Sequence, residues 1–266
     1  MSRPDFRPFV PAPGQSRIAG STPRAHTQAR LQSPRAQELF GGWAELAKAP
    51  FTGITTDGRV MPGVFSLQPG DAPTPAMIAA VTALLAGVSP AQRAAMSFPV
   101  ESDLWRNWQN TELYVERYGL RLDEVTDCVR DAVMDVLRAS LSPKGYETSR
   151  AVMRLNRFLG DLLGCPAVLG EWSYTFCVFG ALSASDPWGW QLFGHHLTLS
   201  CFVLGRQMVL TPTFLGAEPA YADGGPFAGT SLFEDEERAG LELMRALSPA
   251  QQRRAIVAHS MVGGDL

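Results

Sequence analysis

The chain predicts an α+β domain in which a helical first half packs on a mainly antiparallel sheet formed by the second half. Apolar residues recur at helical spacing through two long segments, 122–141 and 143–163. Residues 171–179 alternate as a strand does: Trp172, Tyr174, Phe176 and Val178 against Glu171, Ser173, Thr175 and Cys177. A run rich in aromatic and β-favouring residues, 190–204, then meets Gly205-Arg206 and a returning segment. Helices and strands fall in separate stretches, the signature of α+β rather than alternating α/β order.

With 266 residues, 45% hydrophobic and 18% charged, the composition suits one large globular domain without an internal linker. A net charge of −3 gives no sign of a nucleic-acid partner. No apolar run approaches the roughly 20 residues of a membrane span, and residues 1–36 contain no hydrophobic core of a secretory signal. These observations set the expectations of no membrane partner and a cytoplasmic location. Cys128, Cys165, Cys177 and Cys201 have no C-x-x-C spacing and lie among apolar neighbours, which predicts reduced space-fillers.

Residues 1–34 carry Arg3, Arg7, Arg17, Arg24 and Arg30 against Asp5 alone, among many Pro, Ser and Gly. That composition predicts a flexible basic tail, leaving 35–266 as the folded domain. Ser33-Pro34 supplies the N-cap and first position of a helix to about residue 49. A short strand is expected over 60–67 and a helix over 75–86, followed by a second Ser-Pro start at Ser89. The irregular segment 97–119 holds Trp105, Trp108, Tyr114 and Tyr118, which fit either a ligand-pocket wall or aromatic plugs that fasten a loop. After the two long helices, Gly164-Cys165-Pro166 is a stop. Residues 232–247 predict a helix whose acidic start, Glu234 to Glu237, suits the positive end of the helix dipole. Ser248-Pro249 opens a last helix with the same Ser-Pro-Ala-Gln string as Ser89.

The unusual chemistry gathers in 186–200, which has two of the six Trp and two of the four His. Read as one strand, it sends His195 toward an apolar face with Phe193, Leu197 and Leu199. His196 then points into a polar lane with Thr198 and Ser200. Gly205-Arg206 suits a two-residue type II′ turn, which sets Phe202 opposite Val209, Ser200 opposite Thr211 and His195 opposite Gly216. Pro212 cannot donate to a ladder, so the returning strand is at an edge or is ending there. Glu218 then arrives about two residues beyond the histidines.

No G-x-S-x-G elbow, P-loop, G-x-G-x-x-G or H-E-x-x-H is present. What remains is His195, His196, Glu218, Glu171 and Asp186. Two imidazoles and a carboxylate suit Zn, Fe or Cu and leave positions open for substrate. Regular strand geometry opposes this, because adjacent residues point to opposite faces unless a bulge re-aims one.

The string Trp-Gly-Trp-Gln-x-x-Gly-His-His-Leu, with segments at 51–53, 59–67, 98–108, 169–172 and 211–219, resembles a bacterial and fungal domain-of-unknown-function family numbered 3500 over residues 35–260. The resemblance implies no particular activity. It does imply a further His-rich segment with an acidic strand, beyond the sequence in hand. A site completed by that segment would be partial here, with weak metal binding and apolar surface that favours a homo-oligomer. The expectation is therefore a metal-dependent hydrolase or lyase acting on a small-molecule substrate. His195, His196 and Glu218 are its candidate ligands, and Glu218 and Glu171 its candidate catalytic carboxylates. Trp188, Trp190, Gln191 and Trp105 are the candidate substrate contacts. The rivals are a non-catalytic ligand-binding or interaction module and a non-haem iron or copper oxidoreductase.

Overall fold

A computed structural model describes residues 5–18, 20, 22–49, 59, 61–64, 66, 68, 70–115 and 117–258. Its helices are α1 (Pro23–Arg30), α2 (Pro34–Lys48), α3 (Thr74–Gly87), α4 (Pro90–Met96), α5 (Asp127–Ser140), α6 (Pro143–Leu163), α7 (Glu234–Ala246) and α8 (Pro249–Ala255). Its strands are β1 (Ser97–Phe98), β2 (Leu120–Arg121), β3 (Tyr174–Phe179), β4 (Trp188–Gly194), β5 (Leu197–Leu204) and β6 (Gln207–Leu215). The fold is α+β. The sheet runs β1-β3-β4-β5-β6, with β2 also pairing β3, and every pairing but the parallel β1·β3 is antiparallel. Among the described residues no helix is long and apolar enough to cross a membrane.

Local chemistry explains the helices. Ser142 caps α6 by accepting from the Gly145 amide at 3.1 Å, Pro143 occupies its first turn, and Gly164 ends it at φ 70°. The repeated Ser-Pro-Ala-Gln strings at Ser89 and Ser248 both close as capping boxes, with Gln92 and Gln251 returning the bond.

One face of the sheet carries Tyr174, Phe176, Val178, Trp188, Trp190, Leu192, Leu199, Cys201 and Val203 into the main core, shared with apolar residues of α3, α5 and α6. The other face, with Cys177, Phe179 and Phe193, is covered by the 98–118 segment through Phe98, Leu104, Trp105, Trp108 and Tyr118. Strands β3 and β4 are therefore buried on both sides, with no exposed residue.

Several expectations change. The single strand over 190–204 is a hairpin, with β4 and β5 joined by a turn at His195-His196. Phe202 does face Val209, but a bulge between Leu199 and Cys201 shifts the register beyond it, so Leu199 faces Thr213 and Cys201 faces Leu210. Of the strand expected over 60–67, Pro62 to Val64 form a turn and bend, Met61 and Ser66 are irregular, and 60, 65 and 67 lie outside the described residues. Cys128 is exposed, whereas the other three cysteines are buried.

The basic N-terminal segment is docked in its described part. Phe6 meets Phe158 and Tyr221 edge-on at 6.2 and 5.0 Å, and Arg7 forks onto Asp223 at 2.8 and 2.6 Å. Val10 and Ile18 pack on Leu159, Leu163, Cys165 and Leu169. Helix α1 is capped by Thr22, buries His26, and uses Thr27 Oγ1 to accept from the Tyr114 amide at 2.7 Å. Average composition hides these few well-placed anchors, each of which meets a partner more than a hundred residues away or on another layer.

Candidate metal centre

The two-residue turn puts both imidazoles on one side of the chain, which a strand would not do. His196 takes φ 58°, a left-handed conformation uncommon outside glycine. Three bonds hold the turn in place. Tyr174 Oη donates to the His195 carbonyl at 3.0 Å, the His196 amide donates to Asn110 O at 3.1 Å, and the Gly216 amide donates to His196 O at 2.8 Å. Gly216 therefore lies against His196 rather than His195. A Cβ there would come within 3.2 Å of His196 Nδ1. The result is two rings with centroids 4.0 Å apart, tilted by 44°.

Glu218 follows β6 closely enough to reach the turn, and one ligand atom from each of His195, His196 and Glu218 lies within 4.8 Å of the other two. His196 Nε2 stands 3.2 Å from Glu218 Oε2. That nitrogen is buried and has no aligned hydrogen-bond partner among the described residues. A buried ring nitrogen that faces a carboxylate without an aligned hydrogen bond is a pair that a cation between them would satisfy.

Asn156, buried on α6, fixes the other ring. Its amide NH2 donates to Gly170 O at 2.7 Å, so Oδ1 is turned toward His195 Nδ1 at 2.8 Å. The carbonyl oxygen only accepts, so His195 carries its proton on Nδ1 and has the Nε2 lone pair to offer. Burial, and then the neighbouring His196, push His195 down to about 4, so it is neutral and ligand-competent near pH 7. The His196 imidazole holds the Glu218 carboxyl below its usual value against the opposing effect of burial.

A second imidazole–carboxylate pair backs this cluster. His26 Nε2 donates over 3.4 Å to Glu112 Oε1, with side-chain exposures of 1% and 14%. Burial pushes the Glu112 carboxyl up. The bond from His26, one from its own backbone, and the charges of His195 and His26 outweigh that and hold it at about 2. Glu112 shares a small polar cavity with Gly194, the residue before the turn.

Other residues singled out from sequence lie apart. Trp188, Trp190 and Gln191 are completely buried within the sheet and cannot touch a substrate. Trp190 Nε1 donates to Ser140 Oγ at 3.1 Å, and Gln191 Nε2 donates to Trp105 O and Ser200 Oγ. Trp105 stacks on Phe179 at 3.9 Å and donates to Val100 O, fastening the loop as a plug. Glu171 is drawn away into an ion pair with Arg150 and is not in the histidine cluster. Asp186 accepts from Ser183 on an exposed turn. Sequence reasoning missed Asn156, Glu112 and His26. Asn156 did leave a trace, as a lone polar residue between Leu155 and Leu159 on the inward face of α6.

A family model described as "Protein of unknown function (DUF3500)" matches residues 70–263. The chain belongs to the DUF3500 family. The match covers the sheet, the histidine turn and Glu218, while the similar segments before residue 70 fall outside it. No curated protein and no solved structure matches the chain.

Proposed function

We propose that this DUF3500 protein is a metal-dependent enzyme of hydrolase or lyase type acting on a small molecule, with a divalent ion held by His195, His196 and Glu218. The observation that carries the reading is the convergence of three ligand atoms within 4.8 Å, one of them a buried nitrogen that faces the Glu218 carboxylate. The orientation of His195 by Asn156 adds to it, since ligating imidazoles usually have their second nitrogen tied down in this way.

Three protein ligands leave coordination positions for water and substrate, and a divalent ion there would supply Lewis acidity. The residues of the chain do the rest. Asn156 keeps His195 in one tautomer, Glu218 balances charge, and Glu112 provides a second ionised carboxylate near His195. Two histidines with one carboxylate are also the ligand set of non-haem iron oxygenases, which sustains a redox reading as the second choice.

The test is metal analysis of protein purified without a histidine tag, followed by titration calorimetry of Zn2+ and Fe2+ into the apo protein. One equivalent bound by the wild type, with affinity lowered at least about tenfold in His196→Ala and Glu218→Gln, supports the reading. Absence of saturable binding by either ion would remove the metal centre and favour a non-catalytic ligand-binding or interaction module.

A further inference from the structure

A cleft of about 620 Å3 opens on the far side of Asn156 from the histidine turn. Its wall is the Gly170–Ser173 corner, and arginines from three separate elements line it: Arg24 of α1, Arg130 of α5 and Arg157 of α6. Converging guanidiniums repel one another and are not drawn together by packing, so what each one does decides what the cleft is for.

Their donors are only partly used. Arg130 gives Nε to Leu122 O and Nη1 to Asp127, leaving Nη2. Arg157 gives Nε to Asp161, leaving both terminal nitrogens. Arg24 reaches Glu124 only at 3.5 Å. The carboxylates that share the wall are mostly satisfied from outside it. Asp123 is gripped in a fork by Arg121, and Glu171 pairs with Arg150. The cleft therefore presents unused N–H donors of three arginines beside three carboxylates, two of which are held by arginines outside the wall. The N-terminal end of α1, at Thr22 and Pro23, adds the positive end of a helix dipole to the same wall. Trp172 lies in the floor with guanidiniums over its ring, Arg150 at 4.4 Å and Arg130 at 5.4 Å.

We propose that this cleft binds a small organic oxyanion, a carboxylate or phosphate ester, gripped by Arg157, Arg130 and Arg24. The fork geometry of arginine matches the paired oxygens of either group. Incoming oxygens displace Glu124 from Arg24 and take the free nitrogens of the other two. The proposal does not depend on the metal centre. The two sites are nonetheless linked, because Gly170 O in the cleft wall holds the Asn156 amide that orients His195.

The experiment uses the full chain in chloride buffer without metal. Glutarate, glycerol 3-phosphate and neutral glycerol are titrated while tryptophan fluorescence is followed, and heats are measured in parallel by calorimetry. Saturable binding of at least one anion, no binding of glycerol, and loss of the fluorescence response in Trp172→Phe are expected. Arg157→Gln, at a half-exposed residue paired with Asp161 one turn on, should weaken the anion about tenfold or more with a melting temperature changed little. Preference for glutarate or for the phosphate ester identifies the source of the oxyanion. Failure of both anions to saturate, equal binding of glycerol, or an affinity unmoved by Arg157→Gln would overturn the proposal, whatever the metal titrations show.

Discussion

Replacing Glu112 with Gln removes a charge from a buried pair while keeping its shape. In the folded chain the Glu112 carboxyl lies at about 2, against an ordinary value of 4.5. At about 1.4 kcal/mol per pH unit that gap has a ceiling of roughly 3 kcal/mol in favour of folding. The carboxyl shares its hydrogen bond with His26, so about 2 to 3 kcal/mol is the working figure. A depressed carboxyl stabilises the fold above its unfolded pKa, and that stability is lost as the pH falls through the folded value. Urea denaturation of wild type and Glu112→Gln at pH 7, 5 and 3 should therefore show a gap of about 2 to 3 kcal/mol at pH 7, shrinking to less than half by pH 3. Equal stability of the two proteins at pH 7, or a gap that does not change with pH, would refute the account of this pair.

His195→Ala should cost about 2 to 3 kcal/mol in stability, because it orphans Asn156 Oδ1 and opens a cavity; His196→Ala should cost less stability but more metal affinity, and a reversed ranking in melting and calorimetry counts against the orientation argument. Removal of residues 1–32 should lower the melting temperature, since it deletes Phe6, Arg7, His26 and Thr27 from their partners. Trypsin should cut slowly after Arg17 and Arg24, and rapid cleavage there with no loss of stability would show the segment undocked. Gly160→Ala should cost roughly 3 kcal/mol, because its Cβ would sit 2.2 Å from Leu169 O in the corner that leads to Gly170, and an unchanged unfolding midpoint would contradict that close approach.

The local grammar of the chain was legible. Ser-Pro starts, the Gly164 stop and the period of 143–163 place α6 from Pro143 to Leu163, because these signals act within a few residues. The alternation of 171–179 likewise marks β3, although it starts later, at Tyr174. Long-range pairings were not legible. Nothing near Glu112 in sequence points to His26, and nothing near Asn156 points to His195, since both contacts arise from the order in which layers stack. The docked N-terminal segment escaped for the same reason: its anchors are sparse, and their partners on α6 and in the 221–223 loop are far along the chain.

The histidine pair shows how one local misjudgement can hide a site whose members are all in view. His195, His196 and Glu218 stand out by residue type, yet adjacent residues on a strand face opposite ways, and that geometry argues against shared ligation. The run 190–204 has no Gly-Asn, Asn-Gly or similar turn signal at its centre, and Gly194 alone suggests only a bulge. The chain turns there nonetheless, because tertiary bonds outweigh the local preference. Tyr174 Oη and the Gly216 amide grip the two carbonyls of the turn, and Asn110 O accepts from its amide. Together they offset the cost of the left-handed His196, which is of order 1 to 3 kcal/mol. Strain of that size, held at a residue whose buried ring nitrogen faces the Glu218 carboxylate, is more economically explained by a demand on where the imidazole points than by packing. A glycine at 196 would relieve the backbone and remove the ring.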